Sequence, residues 1–360
     1  MQPRKADPAA PRFSGSYSPD DVQFLIKPAR IALTAVAAKE DAIQSGRLHY
    51  SEMLSPEQVP DARYLELYDA ALARNAGRLR ADIELLADRI VDRVGADPTL
   101  VSLARAGTPI GVLLHRELRR RGRDSAHYSI SIIRDRGIDE AALDTIRAER
   151  DPASVVFVDG WTGKGAIRDE LDASLAHVPD FAPVLAVVAD PAGVADIAAT
   201  HEDYLIPSGI LNGIVSGLIS RTVLSSRYVG PGDYHACLYL SEHEGADRSI
   251  AFIEAIETAA PIPGVGTVGD PATVAARARA TVDRIMTDHG VADRNRVKPG
   301  IAESTRAILR RMPDRLFLAA GDDPDLAHLR HLAIERGLRI DAMPDNSPYR
   351  SITVIRKVSE

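Results

Sequence analysis

Apolar positions along the chain switch between helical and strand spacing, and the switching predicts an alternating fold. Val22, Leu25 and Ile26 follow Pro19-Asp20-Asp21 at helical spacing, so a capped helix is expected to open the N-terminal region. A second helix is expected over 63–72. A longer one near 75–94 puts Leu79, Ile83, Leu86, Ile90 and Val91 on one face. From residue 99 onward, short apolar runs (99–104, 127–133, 154–158, 183–189 and 203–207) alternate with helical stretches (110–121, 166–175 and 194–200). Buried strands alternating with amphipathic helices predict a parallel sheet covered on both faces. PIPGVGTVGDP, between 259 and 271, reads as a linker. One helix follows it, and then a small module with helices at 304–311 and 325–336 and strands at 315–319, 338–342 and 351–356.

Composition narrows the possibilities. The chain has 360 residues, 45% hydrophobic and 26% charged, which is ordinary for a globular protein. No apolar run approaches the roughly 20 residues of a membrane span, and residues 1–13 lack a signal-peptide core and read as a disordered tail. Cys237 is the single cysteine, which excludes an internal disulfide and fits a cytoplasmic protein. The net charge of −7 argues against nonspecific nucleic-acid binding by the whole molecule. The balance is uneven, however: residues 294–360 carry 13 Lys and Arg against 9 Asp and Glu.

Two strand-to-helix turns concentrate the chemistry. One is Leu103-Ala104-Arg105-Ala106-Gly107-Thr108-Pro109 and the other is Val158-Asp159-Gly160-Trp161-Thr162-Gly163-Lys164-Gly165. In a doubly wound sheet, ligands sit at the carboxyl ends of strands. A Gly-containing turn that enters a helix presents backbone N–H groups and the positive end of the helix dipole to an anion. Asp159 beside such a cradle suits a sugar hydroxyl next to a phosphate. The spacing is not that of a nucleotide P-loop, since only two residues separate Gly160 from Gly163. Arg134-Asp135-Arg136-Gly137 follows a strand, is doubly basic and is expected to act as a lid with Asp135 as a base. Trp161, the only tryptophan, is a stacking candidate.

The run Val155–Gly165 resembles the signature of type I phosphoribosyltransferases, with Gly160 in place of the second acid and Gly163-Lys164 in place of a Thr-Thr pair. Longer strings extend the likeness: SGSYSPDDVQFLIKP (14–28), SGRLHYSEML (45–54), SIIRDRGID (131–139) and PSGILNGIVSGLISRTVLS (207–225). These resemble the phosphoribosyltransferase-like proteins of tellurium-resistance and stress-response operons, a family also labelled StiP or "cysteine protease". The end of the chain, with Asn346-Ser347-Pro348-Tyr349-Arg350, resembles their Pelota-type RNA-binding domain.

The resemblance implies an α/β fold with a parallel-sheet phosphoribosyltransferase-like core (76–258) and a helical N-terminal hood (14–75). A linker and helix (259–292) and a small Pelota/L7Ae-like module (293–360) complete it. It implies (phospho)ribosyl transfer from phosphoribosyl pyrophosphate to an unidentified nitrogenous acceptor, with Mg²⁺ held at Asp159. Arg105, Ala106 and Gly107 would bind the pyrophosphate; Thr162, Gly163, Lys164 and Gly165 the 5′-phosphate; Asn212, Ser220 and Arg221 the acceptor. Lys298, Arg350 and Lys357 would contact RNA, and a homodimer is allowed. A noncatalytic nucleotide sensor or RNA-binding protein is the alternative. Thiol hydrolysis ranks last: His235 and Cys237 share a strand face, but a lone Cys is more often buried as a small hydrophobe.

Overall fold

The computed structural model describes residues 13–264 and 269–357. Its core is a six-stranded, fully parallel sheet, in the spatial order Gln23–Leu25, Ala126–Ile130, Thr99–Leu103, Val155–Trp161, Leu185–Ala189 and Ile197–Thr200. Side chains alternate between its faces as a pleated strand requires. Val156, Val158, Ala186 and Val188 enter one apolar core, while Val155, Phe157, Leu185 and Val187 enter the other. The first face is covered by the helices Ala62–Val94, Gly107–Arg120 and Ser249–Thr258. Leu143, Ile146, Leu171 and Leu175, from the helices Glu140–Glu149 and Ala166–Leu175, cover the second. With both faces buried, central strands such as Thr99–Leu103 are apolar or small-residue throughout and wholly inaccessible.

The C-terminal module is a mixed four-stranded sheet in the order Val297–Pro299, Ser351–Ile355, Pro313–Leu318 and Arg339–Ala342; only its last pair is parallel. The helix Pro271–Asp288 packs on one face through Val282 and Ile285. The helices Ile301–Arg310 and Ala327–Glu335 bring Ile301, Ile308, Leu329 and Leu332 into the same apolar cluster as the first face of the large sheet. The module is therefore docked by shared hydrophobic burial, a non-directional attraction that scales with the apolar area covered. Among the described residues no helix is long and apolar enough to cross a membrane.

Several expected elements differ. The N-terminal helix after Asp21 is instead the edge strand Gln23–Leu25, in register with Tyr128–Ile130. Three apolar residues at helical spacing are too few to outweigh pairing with an open sheet edge. The helix expected over 194–200 is the opposite edge strand, Ile197–Thr200. The helices expected over 63–72 and 75–94 are one continuous 33-residue helix, because nothing between them breaks it. No strand forms over 203–207, where Asp203 instead accepts the backbone N–H groups of Ile301 (3.1 Å) and Arg350 (2.8 Å) from the module. Most of the expected disordered tail and residues 265–268 of the linker lie outside the described residues.

Candidate functional site

The site begins where the Val155–Trp161 strand ends. Gly165 adopts φ +92°, a left-handed conformation open to glycine, and turns the chain into the helix Ala166–Leu175. That helix has no side-chain N-cap, so its first N–H groups and its positive end are left to whatever occupies the space before it. Thr162 is tied back from the turn, donating to Asp190 (2.6 Å) and accepting from the Ala192 N–H (3.1 Å). The second turn lies directly behind: a methyl group on Gly107 would sit 2.0 Å from the Val158 carbonyl oxygen, so only glycine lets the two turns approach.

The module closes the other side. The Tyr349 hydroxyl donates to the Gly163 carbonyl (2.8 Å), and the Lys164 ammonium donates to the carbonyls of Arg294 (2.5 Å) and Val297 (3.2 Å). Between turn and module lies a cavity of about 380 Å³, walled by Lys164 and Asp159 from the core, Lys298, Arg306 and Arg310 from the module, and Lys39 and Tyr50 from the N-terminal region.

The cavity is strongly cationic. Some of its charges are neutralised: Arg105 grips Glu57 (2.6 and 2.9 Å), and Arg311 reaches Glu40 (3.0 Å). Five others have no carboxylate within ion-pair distance among the described residues: Lys39, Lys164, Arg221, Lys298 and Arg310. Burial pushes all five toward deprotonation, and neighbouring cations push further. Lys39 and Lys164 fall to about 7, Lys298 to about 8, Arg310 to about 9 and Arg221 to about 10. Arg310 donates to Asn212, and Arg221 to the carbonyls of Tyr50 and Met53, so their positions are fixed by neutral partners.

Two carboxyl groups complete the lining. Burial pushes Asp159 up to about 7, offset in part by Arg306; one of its oxygens accepts the Gly160 N–H (2.8 Å). Burial opposes the Glu303 carboxylate as well, but Arg306 and Lys298 hold it below its usual range. Arg306 also lies 4.6 Å from the Trp161 ring centroid, covering the indole by a cation–π contact. This donor set does not fit a resident Mg²⁺ at Asp159. Mg²⁺ prefers anionic oxygens, and here a half-protonated carboxyl sits among cations.

Of the residues singled out from sequence, the structure gathers Arg105, Ala106, Arg134, Asp159, Trp161, Thr162, Gly163, Lys164, Gly165, Arg221 and Lys298 around this one cavity. Others fall outside its lining. Asp135 and Arg136 occupy the exposed tip of the hairpin formed by Ile132–Ile133 and Gly137–Ile138. Glu170 clamps that hairpin by accepting the N–H groups of Asp135 (2.6 Å) and Gly137 (2.8 Å). Gly107 and Gly160 form the backing, Asn212 holds Arg310, and the Ser220 hydroxyl is turned to the Arg221 carbonyl. Arg350 is spent on Asp323 (2.7 Å through Nε) and Asp325 (3.2 Å), and Lys357 is exposed. Sequence reasoning missed Lys39, Glu303, Arg306, Arg310 and Arg311. A signal was present for three of them: Glu303, Arg306 and Arg310 lie at i, i+3 and i+7, on the face opposite Ile301, Thr305 and Ile308.

Cys237 lies apart from this chemistry. It is fully buried, and burial pushes its thiol up to about 12, with Arg105 offsetting only part of the effect. His235, two residues away, is held by Ser131 (2.8 Å), while Asp139 accepts its backbone N–H (2.6 Å).

Comparison with known proteins places these features in a family. Residues 15–257 match the model described as "Tellurite-like stress resistance cysteine protease StiP", and residues 276–357 match the PELOTA RNA binding domain. A protein of Acinetobacter baylyi named "Cysteine protease StiP" is 42% identical over 365 aligned positions, covering 97% of this chain and 95% of that protein. These findings overturn the expected (phospho)ribosyl transfer and the glycosyltransferase assignment: the relative and the family carry the name of a cysteine protease, the reading ranked last from sequence. Neither phosphoribosyl pyrophosphate nor a nitrogenous acceptor is supported. The physical source of the error is plain. A Gly-rich strand-to-helix turn specifies an anion cradle but not the reaction performed on the anion.

Proposed function

Starting from the fact that the chain belongs to the StiP family of tellurite-like stress resistance proteins, we propose that it binds a compact polyanion in the cavity between the parallel sheet and the C-terminal module. The observation that carries this reading is the set of five buried or half-buried cations without carboxylate partners, lining the same cavity as an uncapped helix N-terminus. Cations that depress one another in this way are poorly stabilised by the protein itself, and a multiply charged anion supplies the missing counter-charge. Isothermal titration with trimetaphosphate, a compact trianion, tests it. Binding is expected to weaken at least about tenfold in Lys298→Ala, corresponding to loss of one charge-assisted contact. No detectable binding to the wild-type protein defeats the proposal.

Peptide hydrolysis through Cys237 is the second reading, favoured by the name of the Acinetobacter relative. For this chain it requires the thiol to leave its apolar surroundings, since the reactive species is the thiolate. Casein hydrolysis abolished by Cys237→Ala is the result that establishes it.

A further inference from the structure

Some of the module's basic residues are spent on its own carboxylates. Arg315 pairs with Asp341 (3.2 Å) and Arg350 with Asp323 and Asp325, so these charges are neutralised on the module itself. Lys298 and Arg310, with no carboxylate within ion-pair distance, instead face the cavity shared with the core, beside Arg306 and Arg311. The match to an RNA-binding domain covers residues 276–357 and so includes all of these residues. An RNA chain attracted to the module therefore meets a concentrated cluster of cations at the cavity.

We propose that the polyanion is the end of a single-stranded RNA, its terminal phosphate seated in the cavity. This rests on the polyanion reading above and assigns it a ligand class. Two observations favour a terminus over an internal segment. A cavity of about 380 Å³ lies at the small end of ligand pockets, which span about 300–1,000 Å³, and so takes one nucleotide and excludes a duplex. A terminal phosphomonoester carries a charge of about −1.5 to −2 near neutrality and has three strong acceptor oxygens. An internal phosphodiester carries a single charge and matches this cation cluster less well. The uncapped N-terminus of the Ala166–Leu175 helix and Lys164 line the same space, as a phosphomonoester requires.

The experiment uses fluorescence anisotropy with the full chain and three versions of one labelled 8-nucleotide RNA: 5′-phosphorylated, 3′-phosphorylated and hydroxyl at both ends. One phosphorylated form is expected to bind at least tenfold tighter than the hydroxyl form, and which one it is fixes the polarity. Unlabelled trimetaphosphate is expected to displace it. Lys298→Ala is expected to weaken that form at least fivefold, while Arg336→Ala, at an exposed position outside the cavity, changes it by less than twofold. Circular dichroism confirms that both variants are folded. Equal binding of all three RNAs overturns the inference, as does RNA binding that trimetaphosphate does not displace. If trimetaphosphate binds and no RNA does, the cavity serves a small free polyanion and only the RNA assignment falls. If neither binds, both proposals fall.

Discussion

Trimetaphosphate affinity should depend steeply on pH, because two of the cations that face the anion change charge in the physiological range. Lys39 and Lys164 both sit near 7 in the folded protein, through burial first and neighbouring cations second. Each is about nine-tenths protonated at pH 6 and about one-tenth protonated at pH 8. An anion beside them restores the charged form, so the complex holds both protons across this range. The protein must take up those it lacks, and affinity falls about tenfold per lysine between pH 6 and pH 8, or about 100-fold for the pair. Lys298, near 8, adds about twofold in the same direction, and Asp159, near 7, adds to it as its carboxylate ionises beside the anion. The ligand keeps its three charges throughout, so the dependence belongs to the protein. Titration calorimetry at fixed ionic strength reads it directly, and at pH 7 buffers of different ionisation enthalpy should report uptake of at least about one proton. An affinity constant within threefold from pH 6 to pH 8 would refute the reasoning.

Other consequences are simpler to measure. Because Lys39 has a folded value below its ordinary 10.5, the unfolded chain holds more protons between about 7 and 10.5, and native stability rises with pH through that window. Lys39→Met should therefore raise the melting temperature more at pH 6 than at pH 9. Gly107→Ala should cost at least about 2 kcal/mol in urea denaturation, since its methyl group meets the Val158 carbonyl at 2.0 Å. Tyr349→Phe, which removes the 2.8 Å hydrogen bond to Gly163, should cost about 1 kcal/mol in the same assay. With its thiol buried and pushed up to about 12, Cys237 should react with Ellman's reagent at pH 8 at least about 100-fold more slowly in the native protein than in guanidinium.

The central sheet was legible because its strands are buried on both faces and read as continuous apolar runs bounded by glycine, as Ser154–Val158 does. Both edge strands were misread. Gln23–Leu25 and Ile197–Thr200 are short and flanked by residues that also suit helices, and the neighbouring strand that decides their state is distant in sequence. The same reason explains the site. The turns Leu103–Pro109 and Val158–Gly165 announce themselves locally through glycine and charge. Lys39, Arg306 and Arg310 become functional only when the docked module and the N-terminal region fold over the turn. Arg105 illustrates the limit in reverse: its position beside Gly107 suggested a charge held for a ligand, but Glu57, 48 residues away, neutralises it.

The most direct test of the account is a crystal structure of the full chain soaked in trimetaphosphate near pH 6, where Lys39 and Lys164 are charged. Density for the anion is expected between the Gly163–Gly165 turn and the Ile301–Arg310 helix, within hydrogen-bond distance of Lys164 and of Lys298 or Arg310. An anion seated instead on the outer surface of the module, beside Arg336 or Lys357, would contradict it.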